Sequence, residues 1–145
     1  MHSFAFRNKE FSVERYPKTS NRSLLPFSNA ELLVLNYIEE RGKASYHLYN
    51  DRFGVWNCAL SDEQVTTIWN YASQKKAIQQ NLERNGLILD DSAFKTPIES
   101  LESVELAFIK IPKSLELFEL YLQQIHESSH QNTCLLYTSP SPRDA

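Results

Sequence analysis

The order of apolar and polar positions along the chain predicts strands that alternate with helices. Residues 11–16 alternate apolar and polar side chains, which is the period of a half-buried strand, and Pro17 ends that pattern. Aliphatic, β-branched and aromatic runs predict further strands at residues 44–50, 65–69, 87–89 and 104–111. A short helical turn is predicted at residues 55–60, and longer helices at residues 29–41, 70–84 and 114–127.

The predicted helices carry recognisable end signals. Ser28 stands three residues before Glu31, which is a capping box, and Gly42 is placed to end that helix in a left-handed conformation. Asn70 or Ser73 caps the next long helix, and Ser114 caps the last. The predicted buried face of the last helix comprises Leu115, Leu117, Phe118, Leu120, Tyr121, Leu122 and Ile125.

Strands that alternate with helices at this spacing indicate an α/β fold. The helices between the strands favour a mostly parallel sheet with helices packed on its faces, and we expect a Rossmann-like architecture. The 145 residues are enough for one domain with a substantial core.

Composition narrows the classes of function. The chain has three glycines and two cysteines, so it contains no glycine-rich phosphate loop, and we expect no disulfide framework. No apolar run approaches the roughly 18 residues of a membrane span, so we expect a cytoplasmic protein with no membrane partner. Residues 1–27 hold five basic and two acidic side chains, whereas residues 28–133 hold nine basic and fifteen acidic ones. This basic N-terminal arm suits either contact with RNA phosphates or a plain solvated surface.

Two further motifs lack the neighbouring residues that their chemistry requires. His126 and His130 fit an HExxH zinc pattern, but no further ligand follows except Asp144, so we predict no metal site. Cys58 lies in an apolar turn, and we expect a buried, inert thiol there.

The end of the chain differs in kind from the rest. Residues 134–145 lose all periodicity and become rich in Ser and Pro, and they closely resemble a sequencing adaptor translated as coding sequence. We therefore predict that this tail is non-native and lies outside the fold. The predicted organisation is a basic arm or edge strand at residues 1–27, an α/β domain at 28–133 that is incomplete at its C-terminus, and the tail.

Several segments resemble the N-terminal domain of the bacterial rRNA guanine-N2 methyltransferases of the RlmG type, which are relatives of RsmC. They are LYNDRFGVWNCAL at residues 48–60, NLERNGL at 81–87 and FIKIPKSLEL at 108–117, with further similarity at Phe6-Arg7 and residues 13–17. The resemblance runs from Phe6 to Thr133 in order and spacing.

The resemblance implies one half of a two-domain enzyme. In this family two methyltransferase-like domains lie in tandem, and the C-terminal one binds S-adenosylmethionine and carries an Asn-Pro-Pro-Phe motif. The N-terminal one is a degenerate copy that helps with RNA binding or with folding. The implied partners of this chain are therefore rRNA, through the full-length protein, and a C-terminal catalytic domain.

The residues at the expected cofactor positions agree with a degenerate copy. A working class I methyltransferase has a glycine-rich turn after its first strand, where this chain has Asn50, Asp51, Arg52, Phe53 and Gly54. It also has an acidic residue after the second strand, where Asn70 stands. The Asn-Pro-Pro-Phe position holds Lys110, Ile111, Pro112 and Lys113. We therefore predict no catalytic residues and no cofactor in this chain, with S-adenosylmethionine bound only by the full-length parent.

The resulting hypothesis is a noncatalytic domain of a 23S rRNA (guanine-N2)-methyltransferase that assists RNA binding or the folding of the catalytic domain. A stand-alone interaction domain without RNA function and a self-sufficient methyltransferase remain as alternatives. The candidate RNA-binding residues are Arg7, Lys9, Arg15, Lys18, Arg22, Lys110 and Lys113. Lys110 and Lys113 lie at the carboxyl end of a predicted strand, where α/β folds bind ligands, so they are candidates for a phosphate contact, with solvent-facing lysines as the alternative.

Overall fold

A computed structural model describes residues 2–21 and 24–138. Its helices and strands are β1 (His2–Phe6), β2 (Lys9–Val13), α1 (Asn29–Ile38), β3 (Ser45–Tyr49), α2 (Val55–Ala59), β4 (Gln64–Ile68), α3 (Ala72–Arg84), β5 (Phe94–Lys95), β6 (Leu106–Lys110), α4 (Leu115–Ser128) and β7 (Cys134–Thr138), with a 3₁₀ turn at Asp91–Ala93.

Within the described residues, the main sheet is parallel and has five strands in the order β5-β4-β3-β6-β7. The predicted α/β class with a parallel sheet and flanking helices is confirmed. The chain winds from β3 to β4 and β5 on one side, then returns to place β6 and β7 on the other side of β3. The direction of winding therefore reverses between β3 and β6, and in parallel sheets such a reversal leaves a crevice at the carboxyl ends of the strands.

Alternate strand residues face two separate cores. Tyr46 and Leu48 of β3 belong to the larger cluster, which includes buried residues of α1, α2 and α3. Tyr49 of β3 belongs to a smaller cluster with Tyr121 and Ile125 of α4. The first three helices therefore cover one face of the sheet, and α4 covers the other.

The predicted buried face of α4 is only partly correct. Tyr121 and Ile125 are buried, together with two polar residues, Gln124 and Ser128. The other predicted members are half-buried (Leu117, Phe118) or exposed (Leu115, Leu120, Leu122). The residues that face the sheet follow a narrow stripe at helical spacing, because one sheet face is this helix's main contact.

The prediction that the tail lies outside the fold is wrong for five residues. Residues 134–138 form the edge strand β7, which pairs in parallel with β6 from Cys134 opposite Leu106 to Thr138 opposite Lys110. Cys134 and Leu136 pack against the larger cluster, so alternating burial gives this segment a place in the sheet. Residues 139–145 lie outside the described part of the chain. The non-native origin of residues 134–145 stays a prediction, which sequencing of the source DNA past the codon for Thr133 would test.

The predicted N-terminal edge strand is half of a β-hairpin. β1 and β2 pair antiparallel as a separate two-stranded sheet, with Phe4 opposite Phe11. Arg7 and Asn8 form the two-residue turn, and both have positive φ, which matches the twist of a tight hairpin.

Two asparagines of α3 hold the outer edge of this hairpin. Asn81 accepts from the Glu14 backbone N–H at 3.0 Å and donates to the Glu14 carbonyl at 2.9 Å. Asn85, one helical turn later, does the same with Ser12 at 2.8 Å in each direction. The distance between residues two apart on a strand is about the same as the distance between residues four apart on a helix. The two amides therefore replace the missing neighbour strand, and we call this pairing the asparagine ladder.

Arg7, rather than Gly42, satisfies the end of α1. Its guanidinium donates to the carbonyls of Ile38, Glu39 and Arg41 at 3.0–3.1 Å. Gly42 has no positive φ, so the predicted left-handed cap is wrong, whereas the capping box of Ser28 and Glu31 is confirmed. Arginine donors near a helix C-terminus bind the otherwise unpaired carbonyls and oppose the negative end of the helix dipole.

Two other boundaries differ from the predictions. The strand predicted at residues 87–89 is absent there, and β5 at Phe94–Lys95 takes its place in the sheet. Leu87 and Leu89 instead pack against the larger cluster without pairing as a strand. The N-cap of α3 is Tyr71, which makes no side-chain capping bond, so neither Asn70 nor Ser73 has the predicted role.

His47 gives the fold a pH dependence. Its side chain is buried in β3, its Nδ1 has no hydrogen-bond partner in the described structure, and burial lowers its pKa from 6.5 to about 4. Between these two pH values the imidazole is protonated in the unfolded chain but neutral in the folded one. The free energy of unfolding therefore falls as the pH falls from about 6.5 toward 4. We expect a loss of about 3 kcal/mol at the low end, because one unit is about 1.4 kcal/mol.

Asp51 opposes this trend, because burial raises its pKa from 3.8 to about 6 and its contribution to stability falls as the pH rises through that interval. Urea unfolding between pH 4 and 7 should therefore be compared with the variant His47→Gln. We expect the free energy of unfolding of the variant, relative to that of the unaltered chain, to increase as the pH falls. A constant gap across this range would contradict the assignment.

Candidate functional site

A cleft of about 520 Å³ lies at the carboxyl ends of β3, β4 and β6. Segments that follow each of these strands line it, together with the first turn of α4 and the residues after the hairpin. It therefore occupies the winding reversal between β3 and β6, which is where open α/β sheets bind ligands. Of the described residues that line the cleft, three are cationic and none is acidic, although the whole chain has a net charge of −3.

The loop after β3 forms a rigid floor. Asn50 adopts positive φ and donates from Nδ2 to the Lys110 carbonyl at 2.9 Å, which ties the ends of β3 and β6 together. The buried Asp51 carboxylate accepts from the backbone N–H groups of Trp56 at 3.3 Å and Asn57 at 2.8 Å. Asp51 thus occupies the N–H groups at the start of α2, which in an open phosphate-binding loop would be free to bind a ligand.

Phe53 and Gly54 close the space beneath the cleft. Phe53 is 5% exposed, and the guanidinium groups of Arg15 and Arg52 stand over its ring at 4.9 and 5.0 Å. Gly54 has a φ of +91°, and a Cβ there would lie 3.2 Å from the Ile78 backbone. Glycine at this position allows α3 to approach the loop closely.

Asn70 faces α4. Its Nδ2 donates to the Tyr121 hydroxyl, and its backbone N–H donates to Gln74 Oε1 at 3.2 Å. Gln74 is 7% exposed and lines the cleft, and its Nε2 has no hydrogen-bond partner within residues 2–21 and 24–138. The cleft therefore has a buried amide donor that its own surroundings leave unsatisfied.

The two lysines predicted for phosphate contact have different surroundings. Lys110 is buried, and its Nζ lies 3.0 Å from Glu31 Oε1 in an ion pair that is about nine-tenths hidden. Lys113 is exposed on the cleft and directly precedes the N-cap of α4. The structure thus places Lys113, and not the Lys110 ammonium, where an incoming anion can approach.

The basic N-terminal residues do not form one surface. Arg7 caps α1 and also forms an ion pair with Glu63 at 2.9 Å. Arg15 packs on Phe53 beside the cleft, whereas Lys9 is exposed on the hairpin and Lys18 lies 4.0 Å from Glu14. Arg22 lies outside the described residues. The described structure brings Arg15, Lys110 and Lys113 to the region of the cleft.

The motifs that the sequence analysis set aside have no role in this cleft. Within residues 2–21 and 24–138, no group of three or more His, Cys, Asp or Glu side chains could hold a metal ion. Cys58 is fully buried as predicted, and burial raises its pKa to about 12. The described residues include no helix that is long and apolar enough to cross a membrane.

Sequence reasoning missed two sets of residues that build the site. The asparagine ladder was not predicted, although Asn81 and Asn85 are spaced one helical turn apart within the NLERNGL segment. Tyr71 and Gln74 were also missed, because their role depends on how α3 meets the sheet. The only available signal was their position immediately after a predicted strand.

The chain is therefore a parallel α/β domain. A cleft lined by basic residues lies where the direction of winding reverses, which is the usual ligand position in such folds. A family model described as the RLMG N-terminal domain matches residues 1–140, and the chain belongs to this family.

Three relatives show the same similarity, each named ribosomal RNA large subunit methyltransferase G. The protein of Psychromonas ingrahamii is 30% identical over 126 residues, covering 79% of this chain and 32% of its own length. The protein of Pseudomonas aeruginosa is 30% identical, covering 85% of this chain and 34% of its own length. That of Colwellia psychrerythraea is 29% identical, covering 89% of this chain and 36% of its own length. The chain therefore spans about a third of the length of these relatives.

Proposed function

We propose that this chain is the noncatalytic N-terminal domain of a large-subunit rRNA (guanine-N2)-methyltransferase, and that its cleft binds rRNA. The relatives' shared name supports rRNA as the substrate of the whole protein. The strand order supports a Rossmann-like, methyltransferase-type sheet, because β5-β4-β3-β6-β7 corresponds to the order 3-2-1-4-5. On this view the cofactor is S-adenosylmethionine, bound by a separate catalytic domain of a cytoplasmic enzyme.

The observation that carries RNA binding is the charge of the cleft. Its described lining has three cationic side chains and no carboxylate, although acidic residues outnumber basic ones in the chain. Of the three, Lys110 is paired with Glu31 from outside this lining. A positive concave surface on a negative protein directs polyanions to one place. Lys113 supplies an exposed charge there.

Three contacts support the absence of cofactor binding by this chain. The Asp51 carboxylate is occupied by the backbone of α2, and Phe53 takes the place of an open glycine turn. The Asn70 Nδ2 donates to Tyr121, and its Oδ1, which has no hydrogen-bond partner among the described residues, is buried rather than open to a ribose. We expect calorimetric titration with S-adenosylmethionine to give no binding heat, and a clear isotherm would favour a self-sufficient methyltransferase.

Charge reversal at the cleft tests the RNA proposal. Lys113→Glu should weaken the binding of a transcribed large-subunit rRNA by about tenfold or more at low salt, because a phosphate contact becomes a repulsion. Lys43→Glu is the matched control, since Lys43 is exposed just before β3, at the amino end of that strand, and does not line the cleft. Fluorescence anisotropy measures both. Equal affinities for the two variants would refute a cleft-specific RNA site.

The alternative is an interaction domain without RNA function. The observation that favours it is the exposure of Leu33 and Tyr37, which are neighbours one turn apart on α1 and are 65% and 63% exposed. A complete absence of rRNA binding by the unaltered chain would make this alternative the better explanation.

A further inference from the structure

We propose that the cleft receives one unpaired nucleotide of the RNA, with its phosphate at the amino end of α4 and its base against Tyr71. This inference rests on the proposed function and specifies which part of the RNA enters. A duplex presents only its backbone to a concave site, whereas an unpaired nucleotide can insert both its phosphate and its base.

The amino end of α4 supplies the phosphate position. This helix of 14 residues begins at Leu115, and Ser114 Oγ accepts from Leu117 N–H at 3.2 Å. The first N–H groups of a helix have no acceptor within it, and the helix dipole favours an anion there. Exposed Lys113 adds a cation directly before this end. Glu116 lies in the same turn but does not line the cleft.

Tyr71 supplies a surface for the base. It follows β4, lines the cleft and is 65% exposed. An exposed aromatic ring at the rim of a basic cleft is the arrangement with which proteins stack unpaired bases. Tyr16, half-buried, lines the same cleft and adds a second ring.

Gln74 indicates that a polar ligand completes the cleft. Its Nε2 is buried and has no partner among the described residues, although its Oε1 accepts from Asn70 N–H. Buried N–H groups without partners are rare, because each loses its bond to water. An acceptor on a base edge would satisfy this donor. The volume of about 520 Å³ falls within the usual range of small-ligand pockets.

The test compares two RNA probes on the full chain. One is a labelled single-stranded 8-nucleotide RNA of mixed sequence, and the other is a labelled blunt-ended duplex that contains that sequence and has no unpaired nucleotide. Tyr71→Ala should weaken binding of the single strand by about tenfold, which is typical for the loss of one stacked base, and leave binding of the duplex unchanged. Tyr71→Phe should retain the wild-type affinity.

Tyr37→Ala is the matched control, because Tyr37 is 63% exposed on α1 and does not line the cleft. Both exposed tyrosines can be replaced without opening a core. If Tyr71→Ala behaves like Tyr37→Ala while Lys113→Glu still weakens rRNA binding, the nucleotide pocket is wrong and the RNA-binding function stands. Equal binding of the two probes also overturns the pocket. If no RNA binds, both proposals fail together.

Discussion

Replacing Lys110 with Met should cost the fold about 3–5 kcal/mol, measured as the free energy of unfolding in urea. The Lys110 ammonium and the Glu31 carboxylate form a 3.0 Å ion pair, and their side chains are 9% and 7% exposed. Removing the lysine leaves the Glu31 carboxylate buried without its counter-charge, and such a loss is typically of this size. The pair lies between β6 and α1, so the variant should also loosen the helix against the sheet.

The double variant Lys110→Met with Glu31→Gln is the matched control. Glutamine removes the stranded charge and keeps an oxygen for the Ser28 backbone N–H, which Glu31 Oε2 accepts at 2.9 Å. We expect the double variant to recover most of the lost stability. If it is no more stable than Lys110→Met alone, the loss comes from the packing of the lysine stem and the buried charge is not its cause.

This ion pair also shows where sequence reasoning ends. The position of Lys110 at the carboxyl end of a strand was predictable, and from it a role in phosphate contact was a reasonable hypothesis. Whether its ammonium points outward depends on Glu31, which is 79 positions away in sequence and was predicted only as part of a capping box. A local pattern identifies the cap, but the second role of the same carboxylate arises only when α1 packs beside β6.

The strands and helices were largely predictable because their signals are local. The runs at β3, β4 and β6 are rich in aromatic, aliphatic or β-branched residues, and the capping residues Ser28 and Ser114 fix two helix starts. β5 was misplaced because a two-residue strand has almost no periodicity, and Leu87 and Leu89 offered a stronger apolar signal. β7 was excluded because its composition suggested a foreign origin, yet strand pairing requires only backbone groups and alternating burial.

The composition of the loop after β3 could be read from the sequence, but its contacts could not. The sequence shows that Asn50 to Gly54 lacks the glycines of a cofactor loop. The contacts show what replaces them, since Asp51 caps α2, Asn50 joins two strand ends and Gly54 admits α3. Each of these roles depends on a contact between a residue of the loop and the backbone of another segment, and the spacing of residues in the sequence does not predict such contacts.

Asn81→Leu should destabilise the fold by about 3 kcal/mol or more. Asn81 is fully buried, and besides its two bonds to Glu14 it donates to the Phe53 carbonyl at 2.7 Å. Leucine has the same number and branching of side-chain heavy atoms but leaves these backbone groups without their amide partner, at about 1–3 kcal/mol for each buried group. The hairpin and the floor of the cleft both depend on this residue, so its loss should also speed hydrogen exchange in β2.

Gln79→Leu is the matched control for this prediction, because it makes a similar change on the exposed side of the same helix. A surface substitution of this kind should alter stability by about 0.5 kcal/mol or less. Urea unfolding gives the free energies, and hydrogen exchange locates the loss. If Asn81→Leu matches Gln79→Leu in both measurements, the ladder contributes little and the apolar contacts of β1 and β2 hold the hairpin. If stability falls while exchange in β2 is unchanged, the bond to Phe53 is the one that matters, and the amide stabilises the loop beneath the cleft rather than the hairpin edge.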